Sequence, residues 1–193
     1  MSFTTIASAC ASLNKDPADL SPLETTQVSM LITQIDGVII NYCGWHLLAR
    51  DYTDKRYDGD GTALLDLRVY PVNSVTGLRM RDSGGTFTDY DPSTLEILDG
   101  GLLQFDPATA SGSTFTTGKN NIFISFNAGF TTAPSDLEYA ANYLIALHFN
   151  RIVNDAMGVQ SLKNMGAEVV FSDLELPIMV KRVLDRYQIP SIS

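Results

Sequence analysis

The chain has 193 residues, 45% of them apolar and 18% charged, with 22 acidic against 13 basic side chains and a net charge of −9. That length fits one domain, and a chain so apolar buries about 70% of the surface that its unfolded form exposes, which excludes wholesale disorder. The acidic balance offers no general attraction to nucleic acid phosphates, so a DNA-binding domain is disfavoured, whereas a protein that merely surrounds DNA is not.

Residues 1–20 are mixed and polar, ending in Asp16-Pro17-Ala18-Asp19-Leu20, and read as an arm or a short leading helix. The opening residues lack the positive segment and long apolar run of a secretory leader. No stretch reaches about 18 apolar residues, so a soluble intracellular product without membrane contact is expected. Cys10 and Cys43 are too few for a disulfide framework and are expected as two reduced thiols.

Ser21-Pro22-Leu23-Glu24 combines a capping box with proline at the first helical position. A helix is expected from there to about residue 43. Val28, Leu31, Ile32, Ile35, Val38, Ile39 and Tyr42 recur at spacings of three and four along it, forming one apolar face.

From Trp45 to Phe130 the punctuation changes to Gly, Asp, Asn, Ser and Thr around short apolar runs, the mark of a β region. Leu64–Tyr70 and Val75–Met80 read as strands separated by Pro71-Val72-Asn73-Ser74, because proline donates nothing to a central ladder. Leu95–Leu98, Leu102–Phe105 and Ile122–Phe126 supply three more. The stretches Arg81–Tyr90 and Asp106–Gly118 are expected as exposed, mobile loops.

Pro134-Ser135-Asp136-Leu137-Glu138 repeats the capping logic and opens a second long helix to about residue 155, with Leu137, Ala141, Leu144, Ala146, Leu147 and Ile152 toward a core. A Gly-containing connection over Gly158–Phe171 follows. Pro177 then opens a third helix, over about 177–187, carrying Ile178, Val180, Val183, Leu184 and Tyr187. The three helices are expected to share a core of Leu31, Ile35, Ile39, Leu144, Leu147, Val183 and Leu184.

Chemistry has little to work with. Asp58-Gly59-Asp60-Gly61-Thr62 fails as a calcium loop, because Arg56 and Leu65 occupy ligand positions, and as a dinucleotide loop, because it lacks the third glycine and leads into a strand. Nothing around Asp58 and Asp60 pushes their pKa values apart, so an acid/base enzyme built on them is the weakest reading and a tight turn between strands the preferred one. His46 and His148 have no nucleophile motif to serve, and Cys10, Cys43, His46 and His148 are too scattered for zinc. No catalytic, metal or cofactor site is expected. Lys181, Arg182 and Arg186 crowd the last helix of an acidic chain; a solvated face is the preferred reading of such a run, and a cationic face for an acidic partner is the alternative.

The order of the pieces resembles the phage head-tail connector (adaptor, head completion) family. The matching pieces are the capped helix ending near Tyr42-Cys43, then Tyr57-Asp58-Gly59-Asp60-Gly61-Thr62 leading into Leu65-x-Leu67, and Tyr70-Pro71-Val72-Asn73-Ser74-Val75. After these come Ile122–Phe126 with Asn127-Ala128-Gly129-Phe130, then Ala133–Leu137 opening the helix that reaches Asn150-Arg151, and the late Leu176-Pro177 and Leu184-x-x-Tyr187. Ser83–Gly118 and the first 20 residues have no counterpart in small members.

The resemblance implies an α+β fold, a bundle of three or four helices with an inserted antiparallel β-hairpin or small sheet. The expected division is an arm over 1–20, a connector domain over 21–187 and a tail over 188–193. It also implies a ring, usually twelvefold, that joins portal to tail with no catalysis and no cofactor. The expected partners are further copies of the chain, the portal protein, a tail-side neck or stopper protein, and DNA passing through an acidic lumen unread. In this family the C-terminal part commonly reaches the portal, which makes Lys181, Arg182, Arg186, Tyr187 and Ile189 the expected partner-binding residues. The rival reading is a β-rich module that holds a ligand or host surface on the loops at 81–90 and 106–118, without catalysis.

Overall fold

The computed structural model describes residues 2–153, 161–164, 167–170 and 176–188. The fold is α+β, and the chain divides into two compact units, a helical one formed by Met1–Gly44 with Ala133–Pro190 and a β one formed by Trp45–Thr132. Its four helices are α1 (Ile6–Ser12), α2 (Pro22–Cys43), α3 (Ser135–Val153) and α4 (Ile178–Leu184).

In the helical unit, α2 starts as its sequence dictates. The Ser21 side chain accepts from the Glu24 N–H, Glu24 caps in return, and Gly44 ends the helix with a φ of 78° that suits glycine. Val28, Leu31, Ile32, Ile35, Ile39 and Cys43 are buried. Val38, expected on that face, points outward instead and is 39% exposed. On α3 the buried set is Leu137, Ala140, Ala141, Leu144, Ile145 and Phe149. Leu147, expected in the core, is half-buried, because at 3.6 residues per turn the face of Leu137, Ala141 and Leu144 continues through Ile145 and Phe149. Val183 is likewise half-buried, while Val180 and Leu184 carry the packing of α4.

The leading segment is a short helix docked on α3. Ser8 Oγ donates to Glu138 Oε1 at 2.6 Å, Asn142 Nδ2 donates to Ser8 Oγ at 2.9 Å, and Thr4 Oγ1 donates to Asn142 Oδ1 at 2.7 Å. Phe3, Ala9 and Cys10 are buried beneath it. The Phe3 N–H donates to Asp36 of α2, whose pKa burial nonetheless raises. The connection expected over Gly158–Phe171 contains a hairpin of β8 (Ser161–Asn164) and β9 (Ala167–Val170). Residues 154 and 155, expected to end the second helix, lie outside the described residues.

The β unit holds β1 (Arg50–Gly59), β2 (Leu64–Asp66), β3 (Val72–Arg81), β4 (Phe87–Tyr90), β5 (Leu95–Leu98), β6 (Leu102–Phe105) and β7 (Gly118–Ala128). They form two antiparallel sheets, one ordered β1-β7-β3-β4 and the other β2-β6-β5. The most buried strand of the larger sheet, β7, lies between β1 and β3 and buries Ile122, Ile124, Phe126 and Ala128. Its pairing with β1 shifts register twice, between Tyr52 and Lys55 and between Tyr57 and Gly59.

Several sequence expectations change here. The strand expected over Leu64–Tyr70 stops at Asp66, whose carboxylate accepts the Arg68 N–H at 2.8 Å and turns the chain, with Arg68 at a φ of 53°. Leu67 and Val69 are buried all the same. Val72, Asn73 and Ser74 belong to β3 rather than to a connection, with Pro71 just before the strand where its missing N–H does no harm. The stretch expected as the loop Arg81–Tyr90 is largely a hairpin, closed by the Thr86 N–H on the Asp82 carboxylate at 2.8 Å. The segment Asp106–Gly118 is pinned through Phe115, which is fully buried and exchanges backbone bonds with Thr62 and Gly61.

Gly59 sits where two backbones nearly touch, since a Cβ there would lie 1.9 Å from the Thr116 carbonyl oxygen. Its N–H donates to Asn121 Oδ1 while Asn121 Nδ2 donates to that same carbonyl, so the buried amide staples the crossing. Gly59→Ala should therefore destabilise by about 3 kcal/mol, near the upper end of overpacking costs; chemical denaturation is the measurement. In the helical unit, Leu144→Ala should cost about 2–5 kcal/mol, and a loss below about 0.5 kcal/mol would contradict the core described above.

Candidate partner-binding site

The expected partner-binding residues sit on and just after α4. This helix runs for only seven residues and is followed by a 3₁₀ turn, Asp185–Tyr187, in place of the single helix expected over 177–187. Its inward residues Val180 and Leu184 are fixed by ties to the rest of the unit. Tyr42 Oη donates to Asp185 Oδ1 at 2.6 Å, Tyr187 Oη donates to Asp136 Oδ1 at 2.7 Å, and Gln188 Nε2 donates to the Tyr42 carbonyl at 3.2 Å. The Asp185 bond raises the Tyr42 pKa, since it favours the neutral phenol. Beneath them the Cys43 thiol lies against the Leu184 carbonyl, and burial pushes its pKa up to about 11.

These ties sort the expected residues. Arg182 and Arg186 are exposed, Lys181 is half-buried, and Tyr187 is half-buried with its hydroxyl already bonded within the unit. Ile189 lies outside the described residues. Ile178, expected among the apolar residues of the helix, and Met179, which had no assigned role, are 67% and 54% exposed. Ile178 and Arg182 lie four residues apart on α4 and Arg186 follows on the 3₁₀ turn, all three exposed, and the spacing of the first two was the available signal.

In the β unit, Asp58–Thr62 is a structural turn. Asp58 Oδ1 accepts the Asn120 N–H at 2.6 Å, and Asp60 Oδ1 accepts both the N–H and the hydroxyl of Thr62. The Thr62 bonds hold the Asp60 carboxyl below its ordinary range, opposite to what a general acid needs. A polar groove of about 550 Å³ beside this turn is lined by carboxylates and cations together, among them Asp58, Asp66, Lys55 and Arg68. Burial lowers the pKa of both His46 and His148, the latter on α3. Among the described residues no group of three or more His, Cys, Asp or Glu side chains is placed to hold a metal ion, and no helix is long and apolar enough to cross a membrane.

The face of the larger sheet built on Phe123 is its most distinctive surface. The Arg56 and Arg79 guanidinium groups lie 5.3 and 5.2 Å from the Phe123 ring centre, and Arg79 also lies 5.0 Å from Phe87, itself 47% exposed. Exposed apolar side chains of this α+β fold, among them Met30, Phe87, Tyr139 and Ile178, lie on its helices and strands. Over residues 18–189 the sequence matches the head completion protein family.

The chain belongs to the head completion protein family. This is a structural, non-catalytic family, and a head completion protein is a component of the virion. Two solved structures share the fold. A chain of the virion of a native gene transfer agent particle is 18% identical with a TM-score of 0.52, the match covering 97% of this chain and 94% of that one. A chain of the neck of an empty gene transfer agent particle, computed with C6 symmetry, is 19% identical with a TM-score of 0.53, covering 96% and 89%. No curated protein matches.

Tyr57, on the wall of the polar groove, gives this head completion protein a pH signature. Its hydroxyl donates to the Leu67 carbonyl at 3.0 Å, and burial raises its pKa well above that of a free phenol. A folded-state pKa raised above the unfolded value gives stability that is complete below about pH 10 and lost as pH rises further. Unfolding free energy should therefore fall above pH 10, and Tyr57→Phe should flatten that fall; an unchanged slope in denaturant titrations would rule out this source.

Proposed function

We propose that the chain is a ring-forming adaptor in the virion neck that joins the portal of a tailed double-stranded DNA phage, or of a phage-like particle, to its tail and lets the genome pass. The observation that carries this reading is the family match across nearly the whole chain. The fold shared with a chain of a particle neck computed with sixfold symmetry supports the ring. A net charge of −9 suits a passage through which DNA slides without being gripped.

Within this reading α4 and the segment after it dock on the portal. Arg182, Arg186 and Lys181 steer the approach to an acidic surface, while Ile178 and Met179 supply the apolar contact that desolvates. Tyr187 contributes by holding the segment in place through Asp136, and Ile189 extends it. The β unit, with Phe87, Arg79 and Arg81 on its sheet, contacts neighbouring subunits or the tail-side neck or stopper protein.

Purified chain added to portal-bearing heads should decorate them as rings visible by negative stain. The pair Arg182→Glu and Arg186→Glu should weaken attachment about tenfold or more while leaving thermal unfolding unchanged, because both side chains are exposed. Tyr187→Phe serves as the comparison, expected to lower stability by about 0.5–1.5 kcal/mol. If the reversed pair decorates heads at wild-type affinity, the docking surface lies elsewhere, and the segment between residues 81 and 118 is the next to test.

A further inference from the structure

The two long helices leave a pair of outward faces without charge. The charged side chains of α2 are Glu24 and Asp36, the first held by Ser21 and Lys15 and the second accepting the Phe3 N–H. On α3, Asp136 accepts from Tyr187, Glu138 accepts from Ser8, and Arg151 is buried. An outward face on a soluble acidic protein ordinarily carries charge, and these carry none.

The faces also differ in relief. Along α2 the outward residues are Leu23, Thr26, Met30, Thr33 and Gly37, spaced three and four apart, and small side chains there leave a groove of about 500 Å³ lined by Thr25, Thr26, Ser29, Met30, Thr33 and Gln34. A Cβ at Gly37 would meet nothing within 4 Å, so the groove stays open toward the end of the helix. On α3 the outward residues are Tyr139, Tyr143, Ala146 and Asn150, with Tyr139 54% exposed and its ring centre 6.5 Å from that of Tyr143. One face is a shallow trough of threonine and serine side chains beside the exposed Met30, and the other is an aromatic ridge.

We propose that these two faces form the subunit contact of the ring, the Tyr139–Tyr143 ridge of one copy lying in the α2 trough of the next. The inference rests on the ring reading and identifies its interface. A closed ring needs a head-to-tail contact between two different surfaces of the same subunit, which is what a trough and a ridge on one unit provide. A second copy is favoured over another partner by charge, because subunits at −9 repel one another least where both contacting faces are bare.

Cysteine pairs test the register. Thr33→Cys with Tyr143→Cys in one chain should, on oxidation in free solution and on portal-bearing heads, give a ladder of cross-linked species rising to the full ring. Each single variant should stay uncross-linked. Cys10 and Cys43, at 0% and 3% exposure, are too buried to join in. Separately, Thr33→Lys should raise the concentration for half-assembly about tenfold or more with unfolding unchanged. Rings by native mass spectrometry that yield no ladder and tolerate Thr33→Lys would overturn this contact alone. Dimers from either single variant would overturn it too, since that face would then pair with itself. A wild-type chain that forms no ring in either setting would overturn the ring reading and this contact with it.

Discussion

The packing of α2 against α3 is the contact on which the helical unit depends, and it joins residues that the whole β unit separates in sequence. Closing so long a loop costs entropy that only a continuous apolar face recovers. Both helices supply one: Val28, Leu31, Ile35 and Ile39 from α2, and Leu137, Ala141, Leu144 and Ile145 from α3. The leading helix and α4 then add to a platform already formed. Buried Phe3, Ala9 and Cys10 on one side and Val180 and Leu184 on the other attach them, with polar ties through Ser8 and Asn142 and through Tyr42, Asp136 and Asp185.

The β unit has its own organising element in β7. Ile122, Ile124 and Phe126 are buried between flanking strands that are far more polar, so the hydrophobic content of the larger sheet is concentrated in one strand. Around it, backbones approach closely at Gly59 and Gly101, where the carbonyls of Thr116 and Val69 occupy the space of a side chain. That arrangement frees β1 and β3 to present charge and aromatic rings outward.

Legibility in the sequence followed the physics. α2 and α3 were readable because cap and apolar period agree at Ser21–Glu24 and at Pro134–Glu138. β1 was not, because six of its ten residues are charged and its half-buried positions are Tyr52, Lys55 and Tyr57, whose apolar parts lie flat on the sheet. β4 hid in a polar stretch because an edge strand needs burial on neither side. At the candidate binding site the cations on the last helix were readable from composition. The inward turn of Tyr187 was not, since its partner Asp136 lies in a helix remote in sequence.

The strand β1 lies at the margin of its sheet, with backbone groups on one side left unpaired by any other strand of that sheet. A molecule that gathers into the ring proposed above would face a hazard there, because a bare strand edge invites a second strand and, after it, a fibre. The two interruptions of its ladder and the alternation of Arg50, Asp51, Asp54, Lys55 and Arg56 along it make that edge a poor template. The same irregularity that concealed β1 from sequence reading thus guards against runaway strand addition, leaving the growth of any assembly to surfaces whose geometry brings it to a close.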